Sequence, residues 1–196
     1  MLPCKLLFRL NDENKNKGFT LVELVLSMAI GSIIIMTILS LLNFTSKGLI
    51  WVENNEEMQL NGRYAIEFIK NEIKRADKIM AIEKINGLGT RYKNNIGFII
   101  FNYDPEDPHK RFYNYVTYYI SNNKLQRAAA NKENHILPYS SNFGGGNVIA
   151  EYVSSMEGTE IDFDKKIIKL NFILEDSTKR KYTFKSIINI RCPVEK

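Results

Sequence analysis

The residue with the clearest chemical consequence is Glu23. From Phe19 to Phe44 the chain runs through 26 residues, and Glu23 is the only charged one among them. A carboxylate in so apolar a run is costly to place in a bilayer, about 2.5–3.5 kcal/mol on insertion scales, and it needs a partner. Glu23 stands four residues after Phe19, one helical turn away. A cut between Gly18 and Phe19 would create an α-amine within a turn of this acid, in its own chain or in a neighbour packed alongside. The spacing offers charge neutralisation rather than catalysis.

The remaining candidates offer less. His109 and His135 fall in loop-like stretches with no Cys or acid at ligand spacing, so no metal site is expected. Asp104, Glu106 and Asp107 are calcium-type ligands, but Pro105 and Pro108 interrupt them and the spacing is not that of a calcium loop. Gly144-Gly145-Gly146 lacks the following Lys-Ser/Thr of a phosphate cradle and reads as a flexible loop. No G-x-S-x-G, P-loop or H-E-x-x-H pattern occurs. The expectation is a protein that is not an enzyme and carries no cofactor. Basic and aromatic residues interleave at Lys110-Arg111-Phe112-Tyr113 and Arg180-Lys181-Tyr182, the composition of a single-strand nucleic-acid surface. Alternating strand faces produce the same pattern with no ligand, and that reading is preferred.

Charge and cysteine content narrow the class. The net charge is +5 over 196 residues. Residues 1–18 hold Lys5, Arg9, Lys15 and Lys17 against Asp12 and Glu13. Without them the excess falls to three, too weak to argue for nucleic acid without a focused patch. The only cysteines are Cys4 and Cys192. A cut after Gly18 would remove Cys4, and no disulfide could then form within the remaining chain. Cys192 then reads as a small buried hydrophobe.

Elements must hold Glu23 in place. The run Phe19–Phe44 would make a helix of roughly 39 Å, enough to cross a hydrocarbon core of about 30 Å. Lys15 and Lys17 directly before it place the amino end in the cytoplasm. From Glu53 to Met80, Met58, Gly62, Ala65, Ile69, Ile73, Ala76 and Met80 recur every three or four residues, one helical stripe. The two stretches read as one long helix reaching about residue 80. Beyond Asn86-Gly87-Leu88-Gly89 the pattern turns to strands: 96–103, 112–120, 124–129, 148–153, 160–163, 166–174 and 181–190. Residues 130–147 read as loop. The fold expected is α+β, one long N-terminal helix packed on an antiparallel sheet.

Gly18-Phe19-Thr20-Leu21-Val22-Glu23, after a short basic leader and before a long apolar run, resembles the type IV prepilin signature, the class III signal peptide. The resemblance covers about the first 45 residues. It implies that a prepilin peptidase cuts after Gly18 and N-methylates Phe19, and that Glu23 guides assembly into a filament. It further implies a leader at 1–18, a membrane and filament-core helix at 19–45, and a pilin-like globular domain at 46–196. The helix is free of the proline that many major pilins carry, which the resemblance reads in favour of a minor or pseudopilin type. The partners implied are other pilin or pseudopilin subunits, the peptidase, and the membrane.

Tyr115-Val116-Thr117-Tyr118-Tyr119-Ile120, two Asn, then Lys124-Leu125-Gln126-Arg127 resembles a hairpin of J-type minor pseudopilins of type II secretion and their PilW-like pilus relatives. That resemblance implies a structural subunit of a type IV pilus or a type II secretion pseudopilus. The protein would be a single-pass cytoplasmic-membrane protein before assembly and extracytoplasmic after it. Two alternatives stay open: a competence-type minor pilin whose head binds DNA, and a plain signal-anchored extracytoplasmic domain.

Overall fold

The structure, a computed structural model, describes residues 18–196. The leader positions up to Lys17, with Cys4 and the leader charges, lie outside the described residues. The chain divides into two compact units, one up to Ile50 and one over Trp51–Lys196.

Helix α1 runs from Leu21 to Arg75. In the first unit it stands alone, and its Leu, Ile, Val and Met side chains are exposed along its length. Five of its polar side chains turn back on the helix. Ser27 and Ser32 donate to the carbonyls of Leu24 and Ala29, each at 2.8 Å, and Thr37 donates to Ile34 at 2.7 Å. Asn43 and Thr45 reach the carbonyls four residues back. Polar groups satisfied by their own backbone leave an outer surface fit for hydrocarbon.

The second unit combines the remainder of α1 with ten strands: β1 (Lys78–Ala81), β2 (Phe98–Tyr103), β3 (Tyr113–Ser121), β4 (Lys124–Lys132), β5 (Gly144–Ala150), β6 (Val153–Ser155), β7 (Glu160–Asp162), β8 (Ile167–Glu175), β9 (Lys181–Asn189) and β10 (Val194–Glu195). They form the expected antiparallel layer against the helix, divided into two sheets. The six-stranded one has the order β10-β1-β2-β3-β4-β5, with β1 and β10 parallel and the other pairs antiparallel. In the second, β8 is flanked by β9 on one edge and by β6 and β7 on the other. The architecture is α+β and pilin-like.

Two cores follow from strand alternation. Ile100, Val116 and Tyr118 of the larger sheet and Ile168, Leu170 and Phe172 of the smaller one share a core with Met58, Ala65, Ile69 and Ile73 of α1. The neighbouring positions Ile99 and Tyr115 face the opposite side, in a second core with Leu88, Tyr92 and Phe143. Strand β3 is thus covered on both faces, which explains its lack of polar alternation. The β3–β4 turn is Asn122-Asn123, both with positive φ (52° and 57°). Two such residues give the tight hairpin turn that fixes Tyr118 opposite Arg127.

Several sequence expectations shift. The helix stops at Arg75 rather than near residue 80. The Asp77 amide is taken by the Phe101 carbonyl at 3.0 Å, and the Asp77 carboxylate accepts from the Tyr103 amide at 2.7 Å. The chain is thereby drawn into the sheet, where Ile79 enters one core and Met80 the other. Met80 kept helical spacing by coincidence; its burial follows a period of two. Gly144-Gly145-Gly146 is no flexible loop but the start of edge strand β5, with Gly144 opposite Ala129. The span 148–153 is split into β5 and β6 by Tyr152, which takes φ 63°. Residues 130–132 belong to β4.

Gly62 lies where α1 meets β9. A Cβ built there would stand 2.2 Å from the Phe184 ring, so any larger side chain would force the ring to shift.

Candidate functional site: the start of the apolar helix

Residues 18–20 precede the helix and are not helical. Thr20 caps it. The Glu23 carboxylate accepts from the Thr20 amide and from the Thr20 hydroxyl, each at 2.9 Å through Oε2. In return the Thr20 hydroxyl accepts from the Glu23 amide at 3.3 Å, and the Thr20 carbonyl accepts from the Leu24 amide at 3.1 Å. This is a capping box: Thr at the N-cap, Glu three residues on, each satisfying a backbone donor of the other. The sign also suits the positive helix terminus. The signal, T-x-x-E before an apolar run, stands in the sequence, although charge pairing alone does not disclose it.

Phe19 lies just outside the box, 87 % exposed. The three residues singled out for processing and assembly, Gly18, Phe19 and Glu23, therefore sit together at one helix end. Gly18 and Phe19 are in non-helical backbone, and Glu23 is in the first turn. With the leader attached, Glu23 is already satisfied by Thr20 and does not wait unpaired for an amine.

A second polar locus lies in the globular unit. Tyr118 is fully buried, and its hydroxyl donates to Glu72 Oε2. Arg127 Nε donates to the other carboxylate oxygen, Oε1, at 3.0 Å. Burial, followed by the Glu72 charge, pushes the Tyr118 phenol far above its ordinary value. The Tyr and Arg of the noted hairpin thus converge on one acid of α1. Glu72 was not among the sequence candidates: it sits beside the apolar stripe among ordinary solvent-face residues. The arrangement clamps helix to sheet. It lies in a different unit from Glu23.

The other candidates do not converge. Asp104 and Asp107 accept backbone amides two residues on, from Glu106 at 3.1 Å and His109 at 2.7 Å. Asp107 also holds Arg111 at 3.0 Å, and that bond keeps its carboxyl below the usual carboxylate range. These are turn-building acids. Among the described residues no group of three or more His, Cys, Asp or Glu is arranged to hold a metal ion. His135 lies edge-on to Tyr113, ring centroids 5.6 Å apart. Cys192 is half-buried against the main core, and burial raises its thiol. The two basic–aromatic sets lead into strands of different sheets, β3 and β9, and Tyr182 packs against the core instead of offering a stacking face.

The structure and the helix start define a protein with an apolar helix long enough to cross a membrane and an α+β head. Comparison with known families adds the signal itself. The family described as "Prokaryotic N-terminal methylation motif" matches residues 14–41, spanning Gly18, Phe19, the capping box and most of the apolar run. The chain carries a type IV prepilin-like signal, and such a signal implies processing by a prepilin peptidase and assembly with other pilin subunits. No curated protein and no solved structure matches the chain at a significant level.

Proposed function

We propose that this protein is a minor pilin or pseudopilin, a non-enzymatic subunit of a type IV pilus or a type II secretion pseudopilus. The peptidase cuts after Gly18 and methylates Phe19. Glu23 then exchanges its Thr20 partners for the Phe19 amine of an adjacent subunit, so that neither charge stays unpaired in an apolar filament core. The helix serves twice, as membrane anchor before assembly and as filament core afterwards. The observation that carries this reading is Glu23, the single charged residue of the exposed apolar stretch that α1 forms up to Phe44, four residues after the Phe of a Gly-Phe junction. Placement in the J-type or PilW-like group rests on the resemblance of the hairpin Tyr115–Arg127 alone; in the fold that hairpin is tied to α1 through Glu72.

Intact and amino-terminal mass spectrometry tests the proposal, on protein made with and without its prepilin peptidase. A terminus at Phe19 carrying one added methyl group, seen only with the peptidase, is the expected result. An uncut chain in its presence removes the filament argument and leaves an anchored domain. Cross-linking of the processed protein to other pilin-type subunits then distinguishes a filament subunit from a processed but solitary protein.

A further inference from the structure

Positive charge is gathered on one strand and its flanks. Residues 179–191 contain Lys179, Arg180, Lys181, Lys185 and Arg191 and no acid, although the whole chain nets only +5. All five are exposed. None forms an ion pair among the described residues, whereas Lys165, Lys169 and Lys196 each hold an acid of the β7 side. The two acids just before this segment, Glu175 and Asp176, do not offset it. Asp176 is buried, accepting from the Thr178 hydroxyl at 2.7 Å and the Arg180 amide at 2.9 Å, and Glu175 stands opposite Lys181 on β8.

Strand alternation sorts β9 into two faces. Tyr182 and Phe184 pack against the main core and Ile188 is buried in it. Lys181, Thr183, Lys185, Ile187 and Asn189 make the outer face, all exposed. Ile187 projects from its middle, 70 % exposed, with no apolar neighbour directly opposite: its partner on β8 is Lys169. Strand β9 pairs only with β8.

We infer that this outer face of β9 is a docking surface for anionic phospholipid. Three observations choose the occupant. The unpaired cations call for a polyanion. The inward direction of Tyr182 and Phe184 leaves no ring on which a single-stranded base could stack. The one apolar group on the face is an aliphatic side chain amid lysines, the composition of an interfacial membrane contact, where each cation near an anionic surface adds attraction and the apolar group enters the headgroup boundary. The same chain carries an apolar helix long enough to cross a bilayer, so while that helix serves as an anchor a lipid surface is within tether. The inference needs only that anchored helix, and a chain left uncut at Gly18 would leave it standing.

The test uses the full chain in lipid nanodiscs of two compositions, zwitterionic phosphatidylcholine alone or with about 30 % phosphatidylglycerol. Amine acetylation is followed residue by residue by mass spectrometry. Lys179, Lys181 and Lys185 should label about fivefold more slowly in the anionic discs, and about 0.5 M salt should restore the rate. Lys93, exposed in another part of the unit, serves as the control and should not change. Ile187→Ser, a surface change that leaves the core intact, should remove much of the slowing at Lys181 and Lys185. Equal labelling of the three lysines in both discs overturns the inference, as does equal slowing at Lys93. Slowing in zwitterionic discs on addition of duplex DNA, with none from anionic lipid, also overturns it and makes the face a nucleic-acid surface.

Discussion

Arg127 on strand β4 and Glu72 on helix α1 are joined across 55 residues of sequence by an Nε–Oε1 hydrogen bond of 3.0 Å. Their side chains are 21 % and 22 % exposed, so the pair is only partly screened by water. Removing one partner leaves the other charge half-buried and alone. Arg127→Met is therefore expected to cost roughly 2 kcal/mol of stability, and Arg127→Met combined with Glu72→Gln less than the sum of the two single changes. Urea unfolding of the four proteins closes the cycle, with a coupling of about 0.5–3 kcal/mol expected for groups in one network. Strict additivity would mean that the bond contributes nothing.

The third member, Tyr118, gives the cluster a pH signature. Burial and the Glu72 charge raise its phenol in the folded state, so the folded protein holds the proton where the unfolded chain releases it. The unfolded state then binds fewer protons, and stability must fall as pH rises. The contribution is complete below the ordinary tyrosine value of about 10 and is lost progressively above it. Tyr118→Phe should flatten this alkaline loss while leaving the stability near neutral pH lower, because Glu72 loses a donor. Thermal melts between neutral pH and the alkaline limit compare the two slopes.

Gly62 and Phe184 give a steric prediction. The Cβ of an alanine at 62 would fall 2.2–2.5 Å from three atoms of the Phe184 ring, and both residues belong to the packed helix–strand contact. Elsewhere in a helix Gly→Ala is favourable by up to about 1 kcal/mol. Here overpacking reverses the sign, and Gly62→Ala should destabilise by about 1–3 kcal/mol. Phe184→Leu should recover most of that loss in the double variant, though Phe184→Leu alone weakens the contact. Chemical denaturation of the single and double variants decides. A Gly62→Ala protein as stable as wild type would place the ring elsewhere.

How far the sequence disclosed this molecule depended on the range of the interaction. The apolar run, the capping acid Glu23 and the Asn122-Asn123 turn are local, and their residue types dictate their structure. Strands β8 and β9 were legible because one face of each is buried, which leaves the period-two pattern intact in Ile168, Leu170, Phe172 and Leu174. The failures are tertiary. Met80 kept helical spacing but is held in β1 by contacts of Asp77 with Phe101 and Tyr103. The glycines at 144–146 carry no side-chain pattern, so only pairing with β4 reveals a strand. Glu72 looks like any solvent-face acid until the hairpin brings Tyr118 and Arg127 to it. The division of the strands into two sheets depends on which edges meet, and short apolar runs do not encode that.

Glu23 separates insertion from assembly. In the uncut chain its carboxylate is held by the amide and hydroxyl of Thr20 at 2.9 Å, so it does double duty as a helix cap. Glu23→Ala removes a charged group from an apolar span and a cap from the helix. The first change favours insertion, by less than the about 2.5–3.5 kcal/mol of a charge at the helix centre because Glu23 stands in the first turn, and the second costs about 1 kcal/mol of helix stability. Insertion should therefore proceed at least as well as in wild type. Incorporation into filaments should fall, because the Phe19 amine of a neighbour would lose its counter-charge in the apolar core. Thr20→Val provides the comparison: it removes the hydroxyl of the cap but keeps the acid, so filament incorporation should survive. Membrane fractionation and the share of protein recovered in sheared filaments measure the two steps separately. Wild-type incorporation of Glu23→Ala would rule out charge pairing as the assembly device, whereas failure of both variants would assign assembly to the cap.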